Sequence, residues 1–268
     1  MNDRTARAGP ARSPSRKGDG VGHAGAARAG PARTAAGRAA TERLARPGVG
    51  SSGAATRLLL VRHGETTWNA EQRVQGQTDV PLSELGRRQA ERLAERLAHE
   101  PLAAAYTSDL SRAWETARIA LAGRDLPLIA CRELREINLG EWQGLTGAQI
   151  RRRWPGKSER FWNADPDAAP AGGETRHELQ ARVVAAIQAI AVGHPGEPVL
   201  IVSHGGALRA LVCWALNADL SASGRLEVDN CGLSILELRP ARPMLVRLND
   251  VAHLEGMVDE AVGRQPLG

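Results

Sequence analysis

Two short apolar runs that each end in histidine and glycine constrain this chain most. The first is "LLLVRHG", Leu58 to Gly64; the second is "VLIVSHGG", Val199 to Gly206. Branched residues in runs this short, bounded by glycine, predict buried strands. Between and after them, helical and extended patterns alternate. "LSELGRRQAERLAERLAHE" predicts a helix with Ser83 as N-cap and Leu85, Leu93 and Leu97 on one face. "LAAAYTS" reads as a short strand, "DLSRAWETARIALAG" as a helix closed by Gly123, and "PLIACREL" as another strand. "ETRHELQARVVAAIQAIAVGH" is a long amphipathic helix whose Thr175 and Glu178 form a capping box. "ALRALVCWALN" is a further helix. "CGLSILELR" and "PMLVRLND" are two late strands joined through Pro240 and Pro243 as a hairpin-like pair. Strands alternating with helices predict an α/β fold, a three-layer sandwich with a mostly parallel central sheet flanked by helices.

Two segments stand outside that alternation. Residues 1–55 are Ala, Arg, Gly and Pro with almost no large apolar side chains. Such a segment buries too little surface to offset its ordering entropy, so it is expected to be a disordered tail, leaving 56–268 as the folded domain. The tail also explains the charge. It carries ten Lys and Arg against three Asp and Glu, which leaves 25 basic and 27 acidic residues for the body out of a chain total of 35 and 30. The basic balance therefore gives no reason to expect nucleic-acid binding outside the tail. Residues 141–173 hold Trp142, Trp154, Phe161 and Trp162 in a chain that is only 3% aromatic. They are expected to form an excursion over one end of the sheet, where such segments line or cover a site.

Cys131, Cys213 and Cys231 are too few and too scattered for a disulfide framework or a zinc site, and each lies in an apolar run. Buried reduced thiols and a cytoplasmic location are expected. No stretch approaches the ~20 apolar residues of a membrane span, and the basic N-terminus lacks the apolar core of a secretory signal.

Ligands of open α/β sheets bind beyond the carboxyl ends of the strands. His63 and His204 both fall there, each followed by glycine, which lets backbone approach a ligand. His99, His177, His194 and His253 have no such setting and read as structural. Arg62 stands beside His63, and Arg112 begins the helix after the second strand, at the same edge. Two guanidiniums and two imidazoles around one point repel one another unless the guest is a multiply charged anion, and phosphate suits their donors. Glu136 follows another strand to that rim. A carboxyl group among such cations opposes anion binding unless it carries a proton, which marks it as a candidate general acid.

"RHGETTWN" at 62–69, "RVQGQTDVPLSELGRRQA" at 73–90, "TSDLSRAWETA" at 107–117, "LREINLGEWQGLT" at 134–146, "GGET" at 172–175 and "VSHGG" at 202–206 resemble, in order, the sequence blocks of the histidine phosphatase superfamily, whose fold is phosphoglycerate-mutase-like. The resemblance spans about residues 57–250. It implies that His63 is the nucleophile of a phosphohistidine, and that Arg62, Arg112 and His204 hold the phosphoryl oxygens. It also implies that Asn69, Gln75, Gly76 and the Gly205 backbone add hydrogen bonds, and that Glu136 protonates the leaving oxygen and then assists water. No metal or other cofactor is implied.

The resemblance covers phosphatases and mutases. "EINLGEWQG" is similar to the broad-specificity, α-ribazole and glucosyl-3-phosphoglycerate phosphatases, whereas cofactor-dependent phosphoglycerate mutases place "RHYG" after the acid glutamate. A phosphatase is therefore expected, with a bisphosphoglycerate-dependent mutase and a non-catalytic phosphoester-binding relative as alternatives. The expected partner is a small phosphorylated metabolite: a sugar phosphate, a phosphoglycerate derivative or α-ribazole phosphate. The aromatic segment suits a sugar or apolar ring. "RRRWPGK" at 151–157 offers cations to a second acidic group, and both stretches are equally readable as core tryptophans and a solvated helix face. No membrane contact is expected, and the protein is a monomer or homodimer.

Overall fold

The computed structural model describes residues 54–257, so the segment expected to be a disordered tail lies outside the described residues apart from its last two. The elements are β1 (Thr56–Arg62), α1 (Thr67–Ala70), α2 (Glu84–Leu97), β2 (Ala104–Thr107), α3 (Ser111–Ala120), β3 (Leu128–Ala130), α4 (Gly147–Arg153), α5 (Pro155–Trp162), α6 (Arg176–Gly193), β4 (Pro198–Ser203), α7 (Gly205–Ala215), β5 (Leu233–Leu238) and β6 (Pro243–Asp250). They build one six-stranded sheet in the order β3-β2-β4-β1-β5-β6. The first four strands in that order run parallel. The last two are antiparallel, and β5 and β6 form the pair expected of the late strands.

The apolar runs are buried because they stand mid-sheet with helices on both faces. Leu58, Leu60, Val199 and Ile201 point to the layer holding α6 and α7. Leu59, Val61, Leu200 and Val202 point to the layer holding α2 and α3. Alternation within a continuous apolar stretch thus feeds two cores, as it must in a parallel sheet covered on both sides. Strand register also places the histidines. Arg62 is the partner of Ser203, so His63 and His204 leave the sheet side by side.

Three details depart from the sequence expectation. The buried stripe of α2 is Gly86, Ala90, Leu93 and Leu97, and Leu85 is only half-buried. The helix presents glycine to the loop after β1 because the space is filled: a Cβ on Gly86 would overlap the Glu65 carbonyl, and one on Gly64 would overlap the Gly86 carbonyl. The strand expected over "PLIACREL" stops at Ala130 and turns into a 3-10 segment, Arg132–Leu134. The helix expected to close at Gly123 ends at Ala120, and Gly123 takes its left-handed φ of 78° in the turn beyond.

All three cysteines are free and buried, and burial raises their thiol pKa values. Among the described residues no helix is long and apolar enough to cross a membrane.

Candidate active site

His63 leaves β1 with its backbone N–H still bonded to the Ser203 carbonyl at 2.9 Å. Its ring Nδ1 lies 2.7 Å from the Gly64 carbonyl oxygen. A carbonyl only accepts, so the proton belongs on Nδ1 and the lone pair on Nε2. His204, at the N-cap of α7, brings its ring centroid to 5.0 Å from that of His63. Neither of its ring nitrogens has a hydrogen-bond partner among the described residues. Burial above all, with Arg112 next, holds both imidazoles well below the usual histidine range. Both rings are therefore neutral at physiological pH, which corrects the picture of four mutually repelling cations: the positive charge rests on the arginines alone.

Those arginines are anchored at their outer nitrogens. Arg112, fully buried on the first turn of α3, donates through Nη1 to the Thr78 carbonyl at 2.8 Å and through Nη2 to the Gly76 carbonyl at 2.7 Å. Arg62 donates through Nη1 to the Val228 carbonyl at 2.8 Å. Burial lowers each guanidinium to about 10, so both stay charged at neutral pH. The Nε of each is buried without a partner. Unsatisfied buried donors are costly, and two guanidinium Nε groups left so beside one cavity suit a guest rich in acceptors.

Asn69 lines the cavity from the end of α1, and its Oδ1 closes a capping box on Thr66, accepting from Thr66 N at 3.0 Å and Oγ1 at 2.9 Å. Gln75 lines it with a buried, unpartnered Oε1. Gly76 enters through its carbonyl, which holds Arg112, and its left-handed backbone packs Cα against the Gln143 amide.

Glu136 reaches the rim from the irregular segment after β3. Its Oε1 accepts from Ile137 N at 2.9 Å and Ala207 N at 3.2 Å, and its Oε2 accepts from Gly206 N at 3.0 Å. The carboxylate thus sits on the first turn of α7. The glycine pair after His204 divides this work. A Cβ on Gly206 would stand 2.5 Å from Glu136 Oε1, whereas one on Gly205 would meet Arg62 Nε at an ordinary 3.5 Å. Gly206, to which the sequence alone gives no role, is the sterically required one.

Arg62, His63, Arg112 and Glu136 form the floor of a cavity of about 620 Å³. His204 is fully buried behind His63 and does not line it. The far wall comes from α4 and α5 and includes Arg151, Glu159 and Trp162. Of the four aromatic residues in this excursion, Trp142 and Phe161 are core, with ring centroids 5.2 Å apart, and Trp162 reaches the cavity. Of the basic run, Arg151 alone lines the wall. Among the described residues no group of three or more metal-ligating side chains stands together.

The profile of the histidine phosphatase superfamily (branch 1) matches residues 58–251. The chain belongs to this superfamily. A metal-independent phosphoserine phosphatase of Arabidopsis thaliana is 38% identical over 205 residues, which cover 75% of this chain and 84% of that protein. A glucosyl-3-phosphoglycerate phosphatase of Mycobacterium tuberculosis is 43% identical over 166 residues, covering 59% and 74%. Among solved structures, Bacillus stearothermophilus YhfR superposes with a TM-score of 0.72 at 41% identity, covering 75% of this chain and 100% of its own. The six-stranded, mostly parallel sheet between helical layers is the fold of these histidine phosphatases.

Residues to which the sequence gives no role also belong to the site. Arg209, nine-tenths buried on α7, donates through Nε to the Leu226 carbonyl at 3.0 Å and lies near Arg62. Gln77 donates through Nε2 to the Glu136 carbonyl at 3.1 Å. Arg182 and Glu174 tie down the Glu136 segment. Their acceptors are mostly backbone carbonyls, which leave no mark in a sequence.

Proposed function

We propose that this histidine phosphatase hydrolyses phosphomonoesters of small metabolites through a phosphohistidine on Nε2 of His63, without a metal ion. The observation that carries the reading is the bond from His63 Nδ1 to the Gly64 carbonyl, because it fixes the tautomer with Nε2 available for attack. Nε2 attacks phosphorus, and the bond from phosphorus to the ester oxygen breaks. Arg62 and Arg112 hold the remaining oxygens as charge shifts, which is most of what phosphoryl transfer asks of a protein, and the neutral His204 ring packs 5.0 Å from that of His63. Asn69, Gln75 and the Gly205 backbone add donors around the same group. Glu136 gives a proton to the leaving oxygen. Water then attacks phosphorus, the P–N bond breaks, and Glu136 takes the water's proton.

A cavity of about 620 Å³ leaves room for water beside a phosphohistidine, which favours hydrolysis over a mutase cycle. Its far wall narrows the leaving alcohol. Arg151 makes no hydrogen bond or ion pair among the described residues and faces the space Trp162 also borders. An alcohol that is a sugar or glycerate derivative bearing a carboxylate fits that wall.

The test is a metal-free screen of the purified chain over sugar phosphates, 3-phosphoglycerate, phosphoserine, α-ribazole phosphate and p-nitrophenyl phosphate, beside a mutase assay with bisphosphoglycerate. Wild type is expected to release phosphate and to yield acid-labile phosphoprotein on quenching, and His63→Ala to do neither. Substantial hydrolysis by His63→Ala, or phosphoryl transfer to glycerate faster than to water, overturns the proposal.

A further inference from the structure

The segment that carries Glu136 has no sheet or helix to satisfy its backbone. After the 3-10 turn at Arg132–Leu134 it crosses to α7 in irregular conformation, and its carbonyls find donors elsewhere. Ser203 Oγ donates to the Leu134 carbonyl at 2.7 Å and Gln77 Nε2 to that of Glu136 at 3.1 Å, and one further side chain supplies most of the rest. Arg182, on the second turn of α6, donates through Nη1 to the Glu133 carbonyl at 2.7 Å and the Arg135 carbonyl at 2.8 Å. Through Nη2 it reaches the Glu136 carbonyl at 2.8 Å and Glu174 Oε2 at 2.9 Å, and through Nε it reaches Glu174 Oε1 at 2.6 Å. All five N–H groups of the guanidinium are used. Glu174 closes the other side. Its Oε2 accepts from Asn138 N at 3.0 Å, and its own N–H donates to the Asn138 carbonyl at 2.9 Å.

We infer that Arg182 and Glu174 are a positioning pair that sets Glu136 at the height from which it can protonate the leaving oxygen. The inference rests on the proposed role of Glu136 as proton donor. Neither Arg182 nor Glu174 lines the cavity. It acts on residues 133, 135, 136 and 138, on both sides of the acid, while the backbone amides of Ile137, Gly206 and Ala207 fix the carboxylate itself. The orientation therefore comes from two sides: Arg182 on α6 with Glu174 just before it holds the backbone, and the first turn of α7 with the Ile137 amide holds the carboxylate. A lysine at 182 keeps the charge but offers three donors from a single point, so it cannot span three carbonyls and a bidentate carboxylate.

A residue that only stabilises the fold slows every substrate alike. One that positions the acid slows formation of the phosphohistidine, read as kcat/KM, only for substrates whose leaving oxygen needs a proton; the water step that follows is common to all substrates and does not enter kcat/KM. The experiment compares 3-phosphoglycerate, which leaves as an alkoxide unless protonated, with p-nitrophenyl phosphate, whose nitrophenolate leaves unaided. Arg182→Lys and Glu174→Gln are expected to lower kcat/KM for 3-phosphoglycerate about tenfold or more and to change that for p-nitrophenyl phosphate less than about threefold, a fraction of the 10²–10⁴ that a general acid contributes. Glu136→Gln should show the full split, and Arg182→Lys added to Glu136→Gln should cost nothing further, because the two act as one unit. Equal losses on both substrates, or additive losses in the double variant, overturn the positioning role while leaving the proposed function intact. No split in Glu136→Gln removes the proton donor itself and the inference with it. Should Arg182→Lys not fold, Glu174→Gln, a near-isosteric change, carries the same comparison.

Discussion

Replacing Gly206 with alanine isolates the contact on which Glu136 depends. The new methyl would stand 2.5 Å from Glu136 Oε1, 3.2 Å from its carboxyl carbon and 3.5 Å from Oε2. The glutamate is flexible and can swing aside, but only by giving up its bonds to Gly206 N at 3.0 Å and Ala207 N at 3.2 Å. Hydrogen bonds to a charged group are worth about 1.5–3 kcal/mol each. Alanine in the first turn of α7 returns about 1 kcal/mol of helix propensity, and the freed amides regain part of the loss from water. The net cost to stability is therefore about 1–3 kcal/mol, and the protein still folds. Catalysis suffers more, because the proton donor has left its place: kcat/KM for an alkyl phosphate should fall about 10²-fold, the low end of what general acids supply. Gly205→Ala is the control. Its methyl meets Arg62 Nε at 3.5 Å and Arg209 Nη1 at 3.6 Å, ordinary contacts, and it keeps the backbone amide. Urea unfolding and steady-state kinetics on the two purified variants decide the matter. If Gly205→Ala loses as much activity as Gly206→Ala, or Gly206→Ala loses none, the steric account of the glycine pair is wrong.

Two further outcomes are expected. Arg151→Gln should raise KM for carboxylate-bearing phosphoesters such as 3-phosphoglycerate about tenfold, the worth of one charge-assisted contact at a partly exposed site, and should leave p-nitrophenyl phosphate nearly unaffected. Arg152→Gln, one position along and off the cavity wall, should do neither, and equal effects from both would remove Arg151 as a reader of substrate charge. Stability should also depend on pH. Burial and the nearby arginines hold His63 and His204 neutral in the folded chain well below 6.5. The unfolded chain therefore takes up protons as pH falls through 6.5 while the folded chain does not. Stability present above 6.5 is then lost below it, at up to about 1.4 kcal/mol per pH unit for each ring. Urea unfolding between pH 7.5 and 5.5 should show this slope, reduced by about half in His204→Asn, and a flat profile would contradict it.

The sequence disclosed the sheet because its two apolar runs are unusual, and it disclosed the histidine pair because strand ends and glycines mark where ligands sit. Arg62, Arg112 and Glu136 were legible as types of residue at one rim. What stayed hidden was anything that depends on through-space partners. Nothing in "GGET" announces that Glu174 meets Arg182 eight residues on, and nothing in "SHGG" tells which glycine faces a carboxylate. Leu85 was misplaced for a related reason: apolar periodicity favours leucine, whereas the actual packing surface of α2 begins at Gly86, where loop and helix backbones touch. The neutrality of both imidazoles was equally invisible, because it comes first from burial and then from Arg112, which only the fold brings near. Of the excursion, the sequence told that aromatics gather there, and only the fold separates Trp142 in the core from Trp162 on the wall.

The pairing of Arg62 with Ser203 across β1 and β4 has one more effect. Successive residues of a strand point to opposite faces, so a slip of one position between these two strands would send one ring up and the other down. The two imidazoles, now 5.0 Å apart at their centroids, would then be separated by the thickness of the sheet. No partly correct arrangement keeps them together. If the proposed mechanism holds, turnover therefore reports strand alignment, and specific activity measured after refolding counts the molecules whose central strands have paired correctly.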